Sequence, residues 1–205
     1  MNEKGFFSKL FGSKIPYRFF FGIQTVIGTE AKDQLIKELY TILNYRDDEE
    51  LPKDKEIFYK ATSSVLLKCS YAIEYACWDY ILKPTEAEDE FHTWINKVEM
   101  SNINEKNEIN EELGKSSNDK HYFSVIMVFL LKGSEQLKLF MDIVGSIQKD
   151  EAYFKNSIKK VIESINHIDF ECSYGDACFI MPGNQKDKLS LTDIKSEGWD
   201  LEAIV

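Results

Sequence analysis

The chain has 205 residues, 43% hydrophobic and 29% charged, with 35 Asp and Glu against 25 Lys and Arg for a formal net charge of -10. That length supports one domain with a sizeable core, and the composition excludes a disordered chain. The acidic balance argues against nucleic acid, whose binding leans on a basic footprint; it suits a basic protein partner, although plain solubility is the simpler account.

Residues 1–15, MNEKGFFSKLFGSKI, read as a short amphipathic segment ahead of a single domain at 16–205. Wound as a helix, the segment puts Phe6, Phe7, Leu10 and Phe11 on one face. That face suits packing on the domain or on a partner. Membrane contact through residues 1–14 is the weaker reading, because two turns or fewer bury little area. Ser8 and Lys9 interrupt the apolar stretch, so it does not read as a signal peptide.

Tyr17–Gly28, rich in aromatic and β-branched residues, predicts a strand. Thr29 then serves as a helix cap, with Glu30 in the first turn and Leu35, Ile36, Leu39, Ile42 and Leu43 at helical spacing. From Asp54 to Leu82 the pattern predicts one long helix or two joined ones. Between Leu66 and Leu82 it is apolar nearly all round, as a helix buried at the centre of the molecule would be. Pro84 stops it, and Thr85 with Glu88 begins the next helix as a capping box, its inner stripe Phe91, Trp94, Ile95 and Val98. Its polar continuation reads as ending in a mobile loop at Gly114.

His121–Lys132 is a continuous apolar run of strand length, hence a central strand covered on both faces. Its core, Val125–Leu131, is far shorter than the roughly 20 residues of a spanning helix, so a soluble protein is expected. Ser134 caps a helix bearing Leu137, Phe140, Met141, Val144 and Ile147, and a second helix runs from about Glu151 to Asn166. The stretch HIDFECSYGDACFIMPG reads as a hairpin turning at Gly175-Asp176, and Ser190 with Asp193 again stand at capping-box spacing. The fold class expected is α+β: a small, mainly antiparallel sheet of about three to four strands, helices mostly on one side, and a buried central helix.

Little in the chain marks chemistry. Cys69, Cys77, Cys172 and Cys178 form no C-x-x-C pair, which fits free thiols in a reducing cytoplasm. In the expected hairpin Cys172 and Cys178 fall on opposite faces, while Cys69 and Cys77 stand about 80° apart around the expected helix. His92, His121 and His167 are solitary, with no metal-ligand spacing, and no glycine-rich phosphate loop or nucleophile elbow occurs. Neither metal nor cofactor is therefore expected. Glu74 is the one notable acid. Helical spacing sets it beside Leu67, Tyr71 and Trp78, with Tyr75 adjacent, on an apolar surface where a carboxylate needs a partner or a raised pKa. A structural hydrogen bond explains it; a pocket acid is the functional alternative.

One resemblance emerges from the order of elements. An early strand and helix (FFFGIQTVIGTEAKDQLIKEL), a helix ending in CWDY, an acid-led segment (EAEDEFHTWINKVE), a late strand (YFSVIMVFLLKG) and a Pro-containing strand end (FIMPGNQKDKLSLTDI) are similar to an uncharacterised bacterial and chloroplast domain family. That family includes the plant fluctuating-light acclimation protein. The resemblance implies an α+β fold and a non-enzymatic role; Ala177 and Ile180-Met181-Pro182 depart from its usual strand end.

These readings predict a non-catalytic, cytoplasmic protein-binding domain of the immunity or inhibitor type, whose acidic surface neutralises a basic partner. The alternatives are a small-ligand-binding or hydrolytic enzyme with a pocket around Glu74, and a peripheral membrane protein. Candidate binding residues are Glu74, Tyr71, Tyr75, Trp78, Phe6, Phe7 and Phe11.

Overall fold

A computed structural model of the protein describes residues 18–28, 31, 33–44, 51–108, 121–183, 189–196 and 198–205. The chain runs β1 (Arg18–Gly28), α1 (Asp33–Asn44), α2 (Pro52–Lys68), β2 (Ile73–Ile81), α3 (Pro84–Glu108), β3 (Tyr122–Lys132), α4 (Lys138–Gly145), α5 (Lys155–Ser164), β4 (Ser173–Met181), α6 (Leu191–Ser196) and β5 (Glu202–Ala203). The strands form one five-stranded sheet in the order β4-β3-β1-β2-β5, with every pair antiparallel.

The two long apolar runs occupy its centre. β1 and β3 pair from Arg18↔Lys132 to Gly28↔Tyr122, and both are buried on each face, as continuous rather than alternating hydrophobicity requires. On one face Phe19, Phe21 and Ile23 of β1 with Met127, Phe129 and Leu131 of β3 pack against α1, α2, α4 and α5. On the other, Phe20, Val26, Ile126, Val128 and Leu130 meet Ala87, Trp94 and Val98 of α3 and Ile194 of α6. Gly22 makes room for Trp94: a Cβ there would lie 2.6 Å from the Phe20 ring and 3.0 Å from the Trp94 indole.

The expected α+β class holds, with one more strand than expected and helices on both faces of the sheet. The buried central helix does not. α2 ends at Lys68, a tight turn closes with Ala72 N–H donating to Cys69 C=O at 2.8 Å, and the chain enters β2. An all-round apolar run has the same signature in a buried helix and a buried strand. Pairing with β1 along Phe20↔Ile81 to Ile27↔Ile73 decided between them. Cys69 and Cys77 consequently lie in opposite core layers rather than on neighbouring helix faces.

The Gly175-Asp176 hairpin is also absent. Both residues lie within the single strand β4, opposite Leu130 and Phe129. Glycine serves there because the Phe91 ring stands 3.0 Å from where a Cβ would project. Cys172 precedes β4 and Cys178 lies within it, and both pack on the same face of the sheet, contrary to the hairpin geometry.

Local signals at helix starts fared unevenly. Ser190 and Asp193 form the expected reciprocal box: Ser190 N–H donates to the Asp193 carboxylate at 2.7 Å, and Asp193 N–H to the Ser190 hydroxyl at 3.2 Å. α3 instead begins at Pro84, and Glu88 pairs with Arg18. Ser134 occupies a cap position, but its hydroxyl faces the Cys172 sulfur at 3.1 Å. Phe6, Phe7, Phe11, the Thr29 cap, the amphipathic segment and the loop at Gly114 lie outside the described residues.

Candidate functional site

Sheet margins expose backbone groups that invite unwanted pairing unless they are covered. On β2 the outward-facing groups are taken in succession. The Glu74 carbonyl accepts Ile204 N–H at 2.9 Å, and Tyr75 and Ala76 pair with Ala203 and Glu202 of β5. Beyond β5, Trp78 gives a backbone hydrogen bond to the Tyr153 hydroxyl, and Tyr80 N–H donates to the Asp79 carboxylate at 2.7 Å. Further bonds lace this margin to residues 152–155: the Trp78 indole N–H donates to Ala152 C=O at 3.1 Å, Lys155 N–H to Val205 C=O at 2.9 Å, and Val205 N–H to Tyr153 C=O at 3.2 Å.

Side-chain alternation along β2 then builds a surface. Trp78 and Tyr80, two residues apart, share one face and stack with ring centroids 6.1 Å apart and planes inclined by 15°. Near the Tyr153 segment, Phe154 is 47% and Val205 81% exposed. Glu202, opposite Ala76, shares the face of these rings, whereas Asp79 falls on the α3 side with Cys77. Burial raises the Asp79 carboxyl above its usual range, and the charge of Glu90 adds to the rise while the Tyr80 N–H opposes it. The Tyr80 hydroxyl is raised by burial and by Asp79. Burial also raises the Tyr153 hydroxyl; Cys77, Glu202 and Asp79 push it the same way, against the Trp78 hydrogen bond. Asp200, Asp79 and Glu90 act together on Cys77 on the α3 side of β2, and Glu202 acts on Tyr153 from the other. Lys97, whose charge pulls on Cys77, donates from its ammonium to Gly198 C=O at 3.2 Å and sits 5.0 Å above the Trp199 ring.

Thiol chemistry is suppressed at the same place. Cys77 is pushed up to about 12, first by burial and then, against the pull of Lys97, by Asp200, Asp79 and Glu90; burial lifts Cys69 to about 11. A thiolate is the nucleophile and the metal ligand, and burial favours the neutral thiol in both groups. Among the described residues, no group of three or more His, Cys, Asp or Glu is placed to hold a metal ion. What the margin combines is a stacked aromatic pair and the exposed Glu202, Phe154 and Val205.

Of the described residues singled out in the sequence, only Trp78 belongs to this surface. Tyr75 points to the α3 side, its ring edge-on to Tyr122 at 6.3 Å. Glu74 is the extra residue at the β-bulge opposite Val26 and Ile27, and Tyr71 lies exposed in the preceding turn. The helix that would have roofed a Glu74 pocket is a strand here, so helical spacing no longer joins Glu74, Tyr71 and Trp78. The sequence reading missed Asp79, Tyr80, Tyr153, Phe154 and Glu202. The Trp-Asp-Tyr alternation carries part of that signal once the segment is taken as extended.

A second cluster sits at the other margin. The wholly buried Asp176 carboxylate of β4 receives the Lys55 ammonium at 2.5 Å, the Tyr59 hydroxyl at 3.0 Å and the Ser173 hydroxyl at 3.2 Å. Tyr59 stacks on Phe170 at 5.0 Å with planes 6° apart. This arrangement fastens β4 to α2.

No family model, no curated protein and no solved structure matches the chain. The CWDY stretch that entered the family resemblance as a helix end lies in β2.

Proposed function

We propose that the protein is a non-catalytic protein-binding domain of the inhibitor or immunity type, which engages a basic partner through the margin formed by β2, β5 and residues 152–155. The observation carrying this reading is the stacked Trp78–Tyr80 pair on the face of β2 that Glu202 shares, beside the exposed Phe154 and Val205. Interface hot spots combine aromatic anchors with a polar rim. Complementary charge adds association rate and selectivity for one partner over others. The chain's net charge of -10 strengthens that selection over longer range.

The reading is tested by affinity capture from a lysate of the native host, comparing the native chain with the double variant Asp79→Lys, Glu202→Lys at equal salt. A stoichiometric basic protein held by the native chain, lost by the variant and released as salt rises, is the expected result. Recovery of the same proteins by both baits would refute the assignment of this surface.

A further inference from the structure

We infer that residues 202–205 form a strap that docks on β2 and leaves it as a unit while the rest of the fold stays intact, so that the surface described above is complete only in the docked state. The consequence for binding rests on the protein-binding reading; the strap itself does not.

The strap is the lightest attachment in the sheet. β5 has 2 residues, whereas β1 and β3 have 11 each and β2 and β4 have 9. Glu202, Ala203 and Val205 are exposed, and of the four residues Ile204 alone packs partly against the core. Backbone groups supply the rest of the attachment. Tyr75 pairs with Ala203 and Ala76 with Glu202, and Ile204 N–H donates to the Glu74 carbonyl at 2.9 Å. Val205 is held from both sides, its N–H donating to Tyr153 C=O at 3.2 Å and its C=O accepting Lys155 N–H at 2.9 Å. Backbone hydrogen bonds on a segment that buries little apolar area open far more readily than those inside a core.

The chain on either side is anchored separately. Trp199 is buried, its ring edge-on to Trp94 at 4.8 Å and beneath the Lys97 ammonium at 5.0 Å. Leu201 N–H donates back to Trp199 C=O at 2.9 Å, a tight turn between that anchor and the strap. Rotation at this turn frees residues 202–205 without unpacking Trp199. Across the margin, the Trp78 indole keeps its hold on Ala152 C=O at 3.1 Å, so residues 152–155 do not depend on the strap alone. Undocking therefore withdraws Glu202 and Val205 from the surface and leaves the stacked rings in place. A partner that touches these two residues as well as the rings binds the docked state better, and closes the strap as it binds.

The experiment is amide hydrogen exchange on the full chain, followed by NMR. The Ile204, Val205 and Lys155 amides are expected to share one protection factor, about a hundredfold below those of the paired residues Ile23 and Met127 at the sheet centre. Ile204→Pro removes the N–H that reaches Glu74, and should abolish protection at Val205 and Lys155 while leaving Ile23 and Met127 unchanged. Ala76→Cys with Glu202→Cys places two thiols directly opposite in register; oxidising that variant should raise protection of the strap amides about tenfold over its reduced form. Strap amides protected as strongly as Ile23 and Met127 in the native chain would overturn the strap, as would loss of protection at Ile23 and Met127 in Ile204→Pro. In the affinity capture described above, Ile204→Pro should retain less of the basic protein than the native chain does, and equal retention would overturn the link between strap and surface. Capture of no protein by the native chain would count against the protein-binding reading alone, since the exchange rates decide the strap without it.

Discussion

Asp176 and Asp79 occupy opposite margins of one sheet and meet opposite conditions. Asp176 is wholly buried and receives an ammonium and two hydroxyls, so its charge is compensated inside the molecule. Asp79 receives one backbone N–H and faces the like charge of Glu90. The first carboxylate holds β4 on α2. The second is held where burial and a neighbouring carboxylate both disfavour its charge.

The largest effect is expected from breaking the compensated site. Asp176→Ala leaves Lys55 and Tyr59 without their acceptor and should destabilise the fold by about 3 kcal/mol, near the low end for a broken buried pair because Lys55 retains some solvent. Urea unfolding measures it. The double variant Asp176→Leu, Lys55→Met should lose less than the single one, since no unpaired charge remains; an equal or greater loss would show that packing, not charge, secures β4.

Gly175→Ala probes the same strand from its other face. Its Cβ would press on the Phe91 ring from 3.0 Å, and a loss of about 1 kcal/mol in the same assay is expected. A loss exceeding that of Asp176→Ala would reverse the ranking of the two attachments.

Asp79→Asn should act with the opposite sign. The folded protein holds the Asp79 carboxyl above its ordinary pKa, so it binds more protons than the unfolded chain. That contribution is fully present below the ordinary carboxylate range and is lost as pH rises through the folded value. Replacing the acid removes the loss: Tm should rise by roughly 2 °C at pH 7 and change little at pH 3. Calorimetric scans across that range check it, and a lower Tm at pH 7 would show that the Tyr80 hydrogen bond outweighs burial and repulsion.

Smallest in energy is the thiol prediction. With Cys69 at about 11 and Cys77 at about 12, neither should react with an aromatic disulfide reagent at pH 8 until the protein is unfolded. Rapid labelling of Cys77 in the native protein would mean that the acidic margin is more open than its burial implies.

How much was legible beforehand follows from what kind of signal each element carries. β1 and β3 could be read because uninterrupted aromatic and β-branched runs of strand length favour a doubly covered strand. The Ser190–Asp193 box was legible because its partners lie three residues apart and need no distant contact. The stripe Phe91, Trp94, Ile95, Val98 was likewise set by helical period alone. Composition and charge gave an acidic, globular chain because they sum over residues and are indifferent to arrangement, while the α+β class came from the order of predicted elements.

Tertiary structure decided the rest. Whether Ile73–Ile81 is helix or strand depended on the free margin of β1, more than forty residues earlier in the chain, and local periodicity holds no record of it. The same pairing turned Trp78 and Tyr80 to one face and brought residues 152–155 and 202–205 against them, gathering a surface from three separate stretches. Gly175 and Asp176 resembled a turn because glycine and aspartate are turn formers by propensity. Phe91 required the absence of a side chain at one position, and Lys55 with Tyr59 offered partners for a buried acid at the other. Propensity is a local free energy of a few tenths to about 1 kcal/mol per residue, and burial of the surrounding rings in a packed core outweighs it.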